Sequence, residues 1–80
     1  MNPEEIKRLI LAGIACDYLA LDGDGQHFEA VVVSREFAGL NRVQRHQHVY
    51  KMLKEKLATG ELHALSFKTL TPEEWSAQRG

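Results

Sequence analysis

Apolar residues near the start of the chain recur at helical spacing. Ile6, Leu9 and Ile10 follow the i, i+3, i+4 pattern of one helix face. Asn2 precedes them as a capping residue, with proline at the first helical position. Gly13 then provides a C-terminal stop. The pattern predicts a first helix that begins after Asn2 and ends at Gly13.

The apolar period shortens to that of β-strands after Asp17. Residues 18–21 form a short apolar run and residues 28–33 a β-branched one, separated by the turn sequence Asp22-Gly23-Asp24-Gly25. We therefore predict a β-hairpin with a glycine-rich tip. Residues 34–40 are predicted to form a connector anchored by Phe37.

The longest helical pattern begins at the predicted cap Asn41, runs to about Thr59 and ends at Gly60. One face is predicted to be apolar, with His46 near its centre; its members are Val43, His46, Val49, Tyr50, Leu53 and Leu57. His48 and Lys51 are among the residues predicted to lie opposite. Three cations flank the apolar stripe: Arg42, Arg45 and Lys56.

A third strand is predicted over residues 62–68, with His63, Leu65 and Phe67 on one side. A short last helix follows, capped by Thr71 and anchored by Trp75. The order α-β-β-α-β-α predicts an α+β fold with helices packed on one face of a three-stranded sheet. The helix between the second and third strands is long enough to make those strands parallel, so the sheet is mixed.

Chain length and net charge limit the classes of function that the protein can have. Eighty residues suffice for one domain, 1–80, and the formal net charge of −1 lacks the strong positive field of a dedicated nucleic-acid binder. The single Cys16 cannot form an internal disulfide, and the chain starts without a signal-like or membrane-spanning segment. We expect a cytoplasmic setting. The sequence contains no compelling nucleophile arrangement, P-loop or dinucleotide motif, so we expect no enzymatic activity.

The four histidines divide into two pairs. On a helix, His46 and His48 point about 200° apart and cannot share one ion. We interpret His46 as a core histidine whose ring bonds to nearby backbone, and His48 as a solvated surface residue. Cys16 is interpreted as a small buried apolar residue rather than a nucleophile.

Topology brings the other two histidines to one edge. Parallel strands start at the same end of a sheet, His27 stands just before the second strand, and His63 is the second residue of the third. Two imidazoles make half a tetrahedral metal site, which a partner or another ligand would complete. A loop histidine beside a structural His63 is the alternative, and spacing alone does not choose between them.

Several segments together resemble the BolA family of small stress-linked proteins. They are Gly23-Asp24-Gly25-Gln26-His27-Phe28, Phe37-Ala38-Gly39, the stretch from Arg42 to Tyr50, Leu62-His63-Ala64-Leu65-Ser66, and Thr71-Pro72-Glu73-Glu74-Trp75. The similarity covers nearly the whole chain in the same order. It implies a class II KH-like fold.

The resemblance also implies a function as partner of a monothiol glutaredoxin in iron–sulfur cluster trafficking and iron homeostasis. Members share a [2Fe-2S] cluster with glutaredoxin and glutathione, which implies His63 as one ligand and His27 as the second, with no cofactor held tightly by the protein alone. A second implication is DNA binding. The cations that would meet phosphates are Arg42, Arg45, Lys51 and Lys56. The sequence lacks the GXXG clamp of KH modules, since the corresponding turn reads Gly39-Leu40-Asn41-Arg42.

Overall fold

The first helix shows how local sequence sets the boundaries of an element. A computed structural model of the protein describes residues 2–23, 27–60, 62 and 64–79. Helix α1 spans Pro3–Gly13, and the Asn2 side chain accepts a hydrogen bond from the Glu5 amide at 2.9 Å. Pro3 lacks an N–H that would need a partner in the first turn. The predicted cap and stop are confirmed.

Three strands form one mixed sheet in the order β1-β2-β3. Strand β1 spans Tyr18–Gly23 and pairs antiparallel with β2, His27–Val33. Strand β3 spans Ala64–Leu70 and pairs parallel with β2. The predicted hairpin and parallel crossover are confirmed. Strand β3 continues two residues beyond the predicted end because Leu70 still pairs with Val33.

The crossover helix α2 spans Arg42–Ala58 and is preceded by a 3₁₀ turn, Arg35–Phe37. Asn41 and Gln44 form a capping box, in which each side chain accepts a hydrogen bond from the other residue's amide. Gly60 adopts a positive φ of 81° just after the helix, a conformation that costs glycine little. The predicted helix and its ends are confirmed within a residue.

Helices α1 and α2 cover one face of the sheet. Their buried residues Ile6, Ile10, Val49 and Leu53 belong to one apolar cluster with inward-facing strand residues such as Val32. Fully burying each aliphatic side chain contributes about 1.5–3 kcal/mol, so this cluster provides much of the free energy of folding. The α+β class, the element order and the mixed sheet are as predicted.

Helix α3, Pro72–Arg79, takes a different position from the other two. Its Trp75 stacks on Tyr18 with ring centroids 4.8 Å apart. Tyr18 pairs with Val33, and both alternate away from the core-facing pair of Leu19 and Val32. The prediction that the helices pack on one face of the sheet is therefore confirmed for α1 and α2, whereas α3 lies against the other face. In the described part of the chain, no helix is both long and apolar enough to cross a membrane.

Candidate functional site

His27 is the first residue of β2 and its side chain is exposed. In the parallel pairing of β2 with β3, His27 lies opposite Ala64, the first residue of β3. The two strands thus begin at the same end of the sheet, as their parallel direction requires. The hairpin places Gly23 beside Phe28, so the end of β1 reaches the same edge.

His63 lies outside the residues that the structure describes, as do residues 24–26 of the hairpin tip. The expected meeting of His27 and His63 therefore stays a prediction. What the structure describes is the backbone on either side: His27 itself and Ala64, which is covalently bonded to His63. Within the described ranges, no group of three or more His, Cys, Asp or Glu side chains is arranged to hold a metal ion.

Cys16 lies far from this edge, as expected. It precedes Tyr18, and Tyr18 pairs with Val33 at the opposite end of β2 from His27. Its Sγ lies 3.6 Å from the Ile14 carbonyl oxygen as a weak donor. Burial, followed by the negative charges of Glu36 and Asp17, raises the pKa of the Cys16 thiol. A thiol that resists ionisation is a poor nucleophile, which agrees with its interpretation as a packing residue.

Among the residues that the structure describes, no backbone group is hydrogen-bonded to the His46 ring, and the ring is only half-buried, so the predicted core position of His46 is wrong. The buried centre of α2 lies at Val49 and Leu53, and His46 sits half-buried at its rim. Its ring contacts Phe67 of β3 edge-on, with centroids 4.6 Å apart and planes at 61°. Desolvation, with a smaller effect of the Arg42 charge, lowers the pKa of His46. Both effects favour the neutral form of the ring.

His48 is not a solvated surface residue, and the sequence prediction for it is also wrong. Its Nε2 lies 2.8 Å from Glu36 Oε1, and its ring meets Phe37 edge-on. The other oxygen of Glu36 accepts a hydrogen bond from the Ala15 amide. These bonds, led by the one from Ala15, lower the pKa of Glu36. The Glu36 carboxylate links the loop before β1, the 3₁₀ turn and α2. This role could not be predicted from the sequence, because the residues that it joins are far apart along the chain.

The Arg45 side chain is mostly buried and bonds to other parts of the protein. It donates from Nε to the Leu40 carbonyl at 3.0 Å, from Nη1 to the Thr69 carbonyl at 3.2 Å, and to both carboxylate oxygens of Glu74. Its side chain is only 14% exposed. The guanidinium, followed by a hydrogen bond from the Thr71 amide, lowers the pKa of Glu74. These contacts give Arg45 a structural role, and its predicted part in a phosphate-binding surface stays a prediction.

The other predicted cations are placed differently. Arg42 and Lys51 are exposed on α2, and Lys56 is half-buried in its last turn. Arg42 borders an open cleft of about 800 Å³ between the N-terminal part of α2 and β3. The cleft is also lined by His46, Phe67, Lys68 and Glu74. Charged and aromatic groups thus meet along this side of the molecule.

Comparison with known proteins gives a consistent result. A family model described as BolA-like protein matches residues 13–74. The chain is 35% identical over 79 residues to the acid stress protein IbaG of Escherichia coli K12, covering 99% of this chain and 94% of that protein. It is 46% identical over 56 residues to the DNA-binding transcriptional regulator BolA of Haemophilus influenzae, covering 70% of this chain and 53% of the relative.

Solved structures show the same relationship. The structure of a BolA protein homologue from Coxiella burnetii matches with a TM-score of 0.81 and 38% identity, covering 95% of this chain and 97% of the other. BolA1 from Arabidopsis thaliana matches with a TM-score of 0.79 and 35% identity, covering 89% and 92%. The architecture described above is thus shared by proteins of bacteria and plants.

Proposed function

This chain belongs to the BolA-like protein family, and from that premise we propose that it is a non-enzymatic adaptor for a monothiol glutaredoxin. In this proposal it co-ligates a [2Fe-2S] cluster through His63 and His27, for cluster trafficking and iron homeostasis. The name of the E. coli relative, an acid stress protein, supports a place in a stress response.

The pairing of His27 with Ala64 is the observation that carries the proposal. It brings an exposed imidazole to the strand position next to the backbone that continues into His63. Because side chains alternate along a strand, His27 lies on the face of Ala64, whereas the sequence pattern predicts His63 on the face of Leu65. The proposal therefore places the cluster at the end of the sheet, beyond the first residues of both strands, where side chains from either face can reach it.

The donor set also suits a shared site. Two imidazoles leave half of a four-ligand site to be completed by another protein, and the glutaredoxin and its glutathione supply thiolates. Replacing thiolate by imidazole leaves less negative charge on a [2Fe-2S] centre and raises its reduction potential, as in Rieske centres. A cluster shared between glutaredoxin and this protein would therefore have a different spectrum from a cluster held by glutaredoxin alone.

A spectral titration tests the proposal. A cluster-loaded monothiol glutaredoxin is mixed with the wild-type chain, and the visible circular dichroism is recorded. We expect a new spectrum with the wild type, its loss with His63→Ala, and a weakened or altered spectrum with His27→Ala. His48→Gln is the matched control, since His48 bonds to Glu36 on another side of the molecule. An unchanged spectrum with His63→Ala would exclude the proposed ligand set.

DNA binding is a second candidate, supported by the name of the H. influenzae relative and by the exposed Arg42 and Lys51. Fluorescence anisotropy with labelled duplex DNA tests it. We expect log affinity to fall linearly with log salt, and removal of the Arg42 and Lys51 charges to weaken binding and reduce that slope. If the double variant binds as tightly as the wild type at low salt, this surface is not the one that contacts DNA.

A further inference from the structure

In the sheet formed by the described residues, strand β3 lies at one edge, with β2 as its single neighbour. An edge strand carries a row of backbone N–H and C=O groups that point away from the sheet and can pair with another strand. Over Ala64–Leu70 the chain contains no proline, and Lys68 is the one charged residue. This edge therefore has little of the protection that usually prevents strand addition.

The hydrogen bonds of the structure identify which groups point outward. The Ser34 amide, which follows β2, donates to the Leu70 carbonyl at 2.9 Å, so the polar groups of Leu70 face β2. Alternation along the strand then directs those of Leu65, Phe67 and Thr69 outward. Arg45 reaches the Thr69 carbonyl from this outer side at 3.2 Å. The outward groups that the Arg45 side chain leaves accessible are centred on Leu65 and Phe67.

An apolar strip runs beside these groups. It consists of Val43, His46 and Tyr50 on α2 together with Phe67 on β3. Val43 and Tyr50 are 64% and 42% exposed, respectively. Phe67 meets His46 and Tyr50 edge-on, with ring centroids 4.6 and 5.1 Å away. The strip thus extends the apolar core to the surface, next to the accessible backbone groups of β3.

We propose that this edge binds a second copy of the same chain, through antiparallel pairing of the two β3 strands about a two-fold axis at Ser66. In this register Leu65 of each copy lies opposite Phe67 of the other, and each pair exchanges both N–H···O bonds. These are the outward groups not occupied by Arg45. The pairing joins the two sheets into one continuous sheet.

Charge and geometry disfavour the two registers whose axis lies further toward the end of β3. An axis at Phe67 would require the Thr69 carbonyl, which Arg45 already holds. An axis at Lys68 would place the two ammonium groups directly opposite each other, which is destabilising. With the axis at Ser66, Lys68 lies opposite Ala64 and no like charges face each other across the strands.

Self-complementarity identifies a second copy as the occupant. A two-fold axis perpendicular to the sheet leaves both α2 helices on the same side of the joined sheet, with the two apolar strips facing each other. The exposed Tyr50 packs on Phe67 next to the axis, so it comes close to Tyr50 of the other copy. A formal net charge of −1 per chain adds almost no repulsion between the copies.

Disulfide trapping tests the register in a Cys16→Ser background. Ser66 and Lys68 are both exposed and lie on the same face of β3, so each tolerates cysteine equally. At the axis, two Ser66→Cys residues form a non-hydrogen-bonded pair with Cα atoms about 4.5 Å apart, within disulfide reach. Two Lys68→Cys residues lie about 13–14 Å apart along the strands, beyond that reach.

We expect mild oxidation to convert the Ser66→Cys variant to a covalent dimer at least about tenfold faster than the Lys68→Cys variant. Equal rates for both variants would indicate random collision and overturn the proposal. Preferential cross-linking through Lys68→Cys would overturn the register. Each variant is measured as the whole chain, with circular dichroism to confirm that it is folded.

Sedimentation of the unmodified chain provides an independent measurement. The mass should rise from 9.1 kDa toward twice that value as concentration increases. Tyr50→Glu, in the apolar strip, should weaken self-association by about tenfold or more, since each tenfold corresponds to about 1.4 kcal/mol. Lys51→Glu, on the other side of α2, is the control and should change the dissociation constant of self-association by less than about twofold. A monomeric mass at all concentrations, with no trapping at Ser66, would refute the proposal.

Discussion

Arg45 and Glu74 form a two-point ion pair that fixes the start of α2 to the first turn of α3. Nη1 lies 2.7 Å from Oε1 and Nη2 lies 3.3 Å from Oε2. The same guanidinium donates to two backbone carbonyls, at Leu40 and Thr69. Because Glu74 also accepts from the Thr71 amide, the pair links the loop before α2, the end of β3 and the cap of α3.

Replacing Arg45 should reveal its structural role. We expect Arg45→Ala to lower the free energy of unfolding by about 1–3 kcal/mol, since two partly buried carbonyls lose their donor. Arg42→Ala should change it by less than about 0.5 kcal/mol because Arg42 is exposed. Urea denaturation followed by circular dichroism measures both. Equal losses would show that the Arg45 contacts add nothing to stability.

The stability of the fold should decrease in acid because Glu36 and Glu74 become protonated. Both have a pKa below the usual glutamate value of about 4.3, so each contributes stability that is complete above that value. The contribution is lost as the pH falls from about 4.3 through the lower pKa of the folded protein. Thermal melts between pH 7 and pH 3 should show a smaller acid loss for Glu36→Gln than for the wild type. Glu4→Gln, exposed on α1, is the control.

His46 should titrate below the usual histidine range, because burial disfavours its charged form and the Arg42 charge adds to that effect. Proton NMR of the imidazole resonances measures the midpoint. Arg42→Gln should raise the midpoint of His46 slightly, whereas Lys54→Gln should not. A midpoint that rises above the usual value of about 6.5 would contradict the packing against Phe67.

Gly23 should be intolerant of a side chain. A Cβ at this position would lie 2.5 Å from the His27 carbonyl oxygen and 2.5 Å from Phe28 Cδ1. Such overpacking typically costs about 1–3 kcal/mol, and its relief would displace the backbone that carries His27. We expect Gly23→Ala to destabilise the fold and to weaken the glutaredoxin-dependent spectrum. Glu29→Ala, exposed on β2, should do neither.

Elements and their connections could be predicted because their causes are local or periodic. Asn2 and Asn41 each accept a hydrogen bond from an amide three residues away, and the β-branched run of residues 28–33 favours a strand by itself. The crossover length then made β3 parallel to β2. For the same reason, the sequence predicts that β2 and β3 begin at one edge of the sheet, as the pairing of His27 with Ala64 confirms.

The roles of individual polar residues depended on the tertiary structure. A helical projection placed His46 at the centre of the apolar face, but the direction from which the sheet and α1 approach puts Val49 and Leu53 there instead. His48 bonds to Glu36 from twelve residues away.

Which elements form, where the helices begin and in what order the strands pair all follow from the amino-acid sequence. Which side of α2 is buried, which face α3 covers and the bond from Arg45 to Glu74, 29 residues away, emerge only in the folded molecule. The difference lies in the range of the interactions. Capping bonds and hydrophobic periodicity act within a few residues, whereas a hydrogen bond between distant groups forms only after the whole core has fixed their separation.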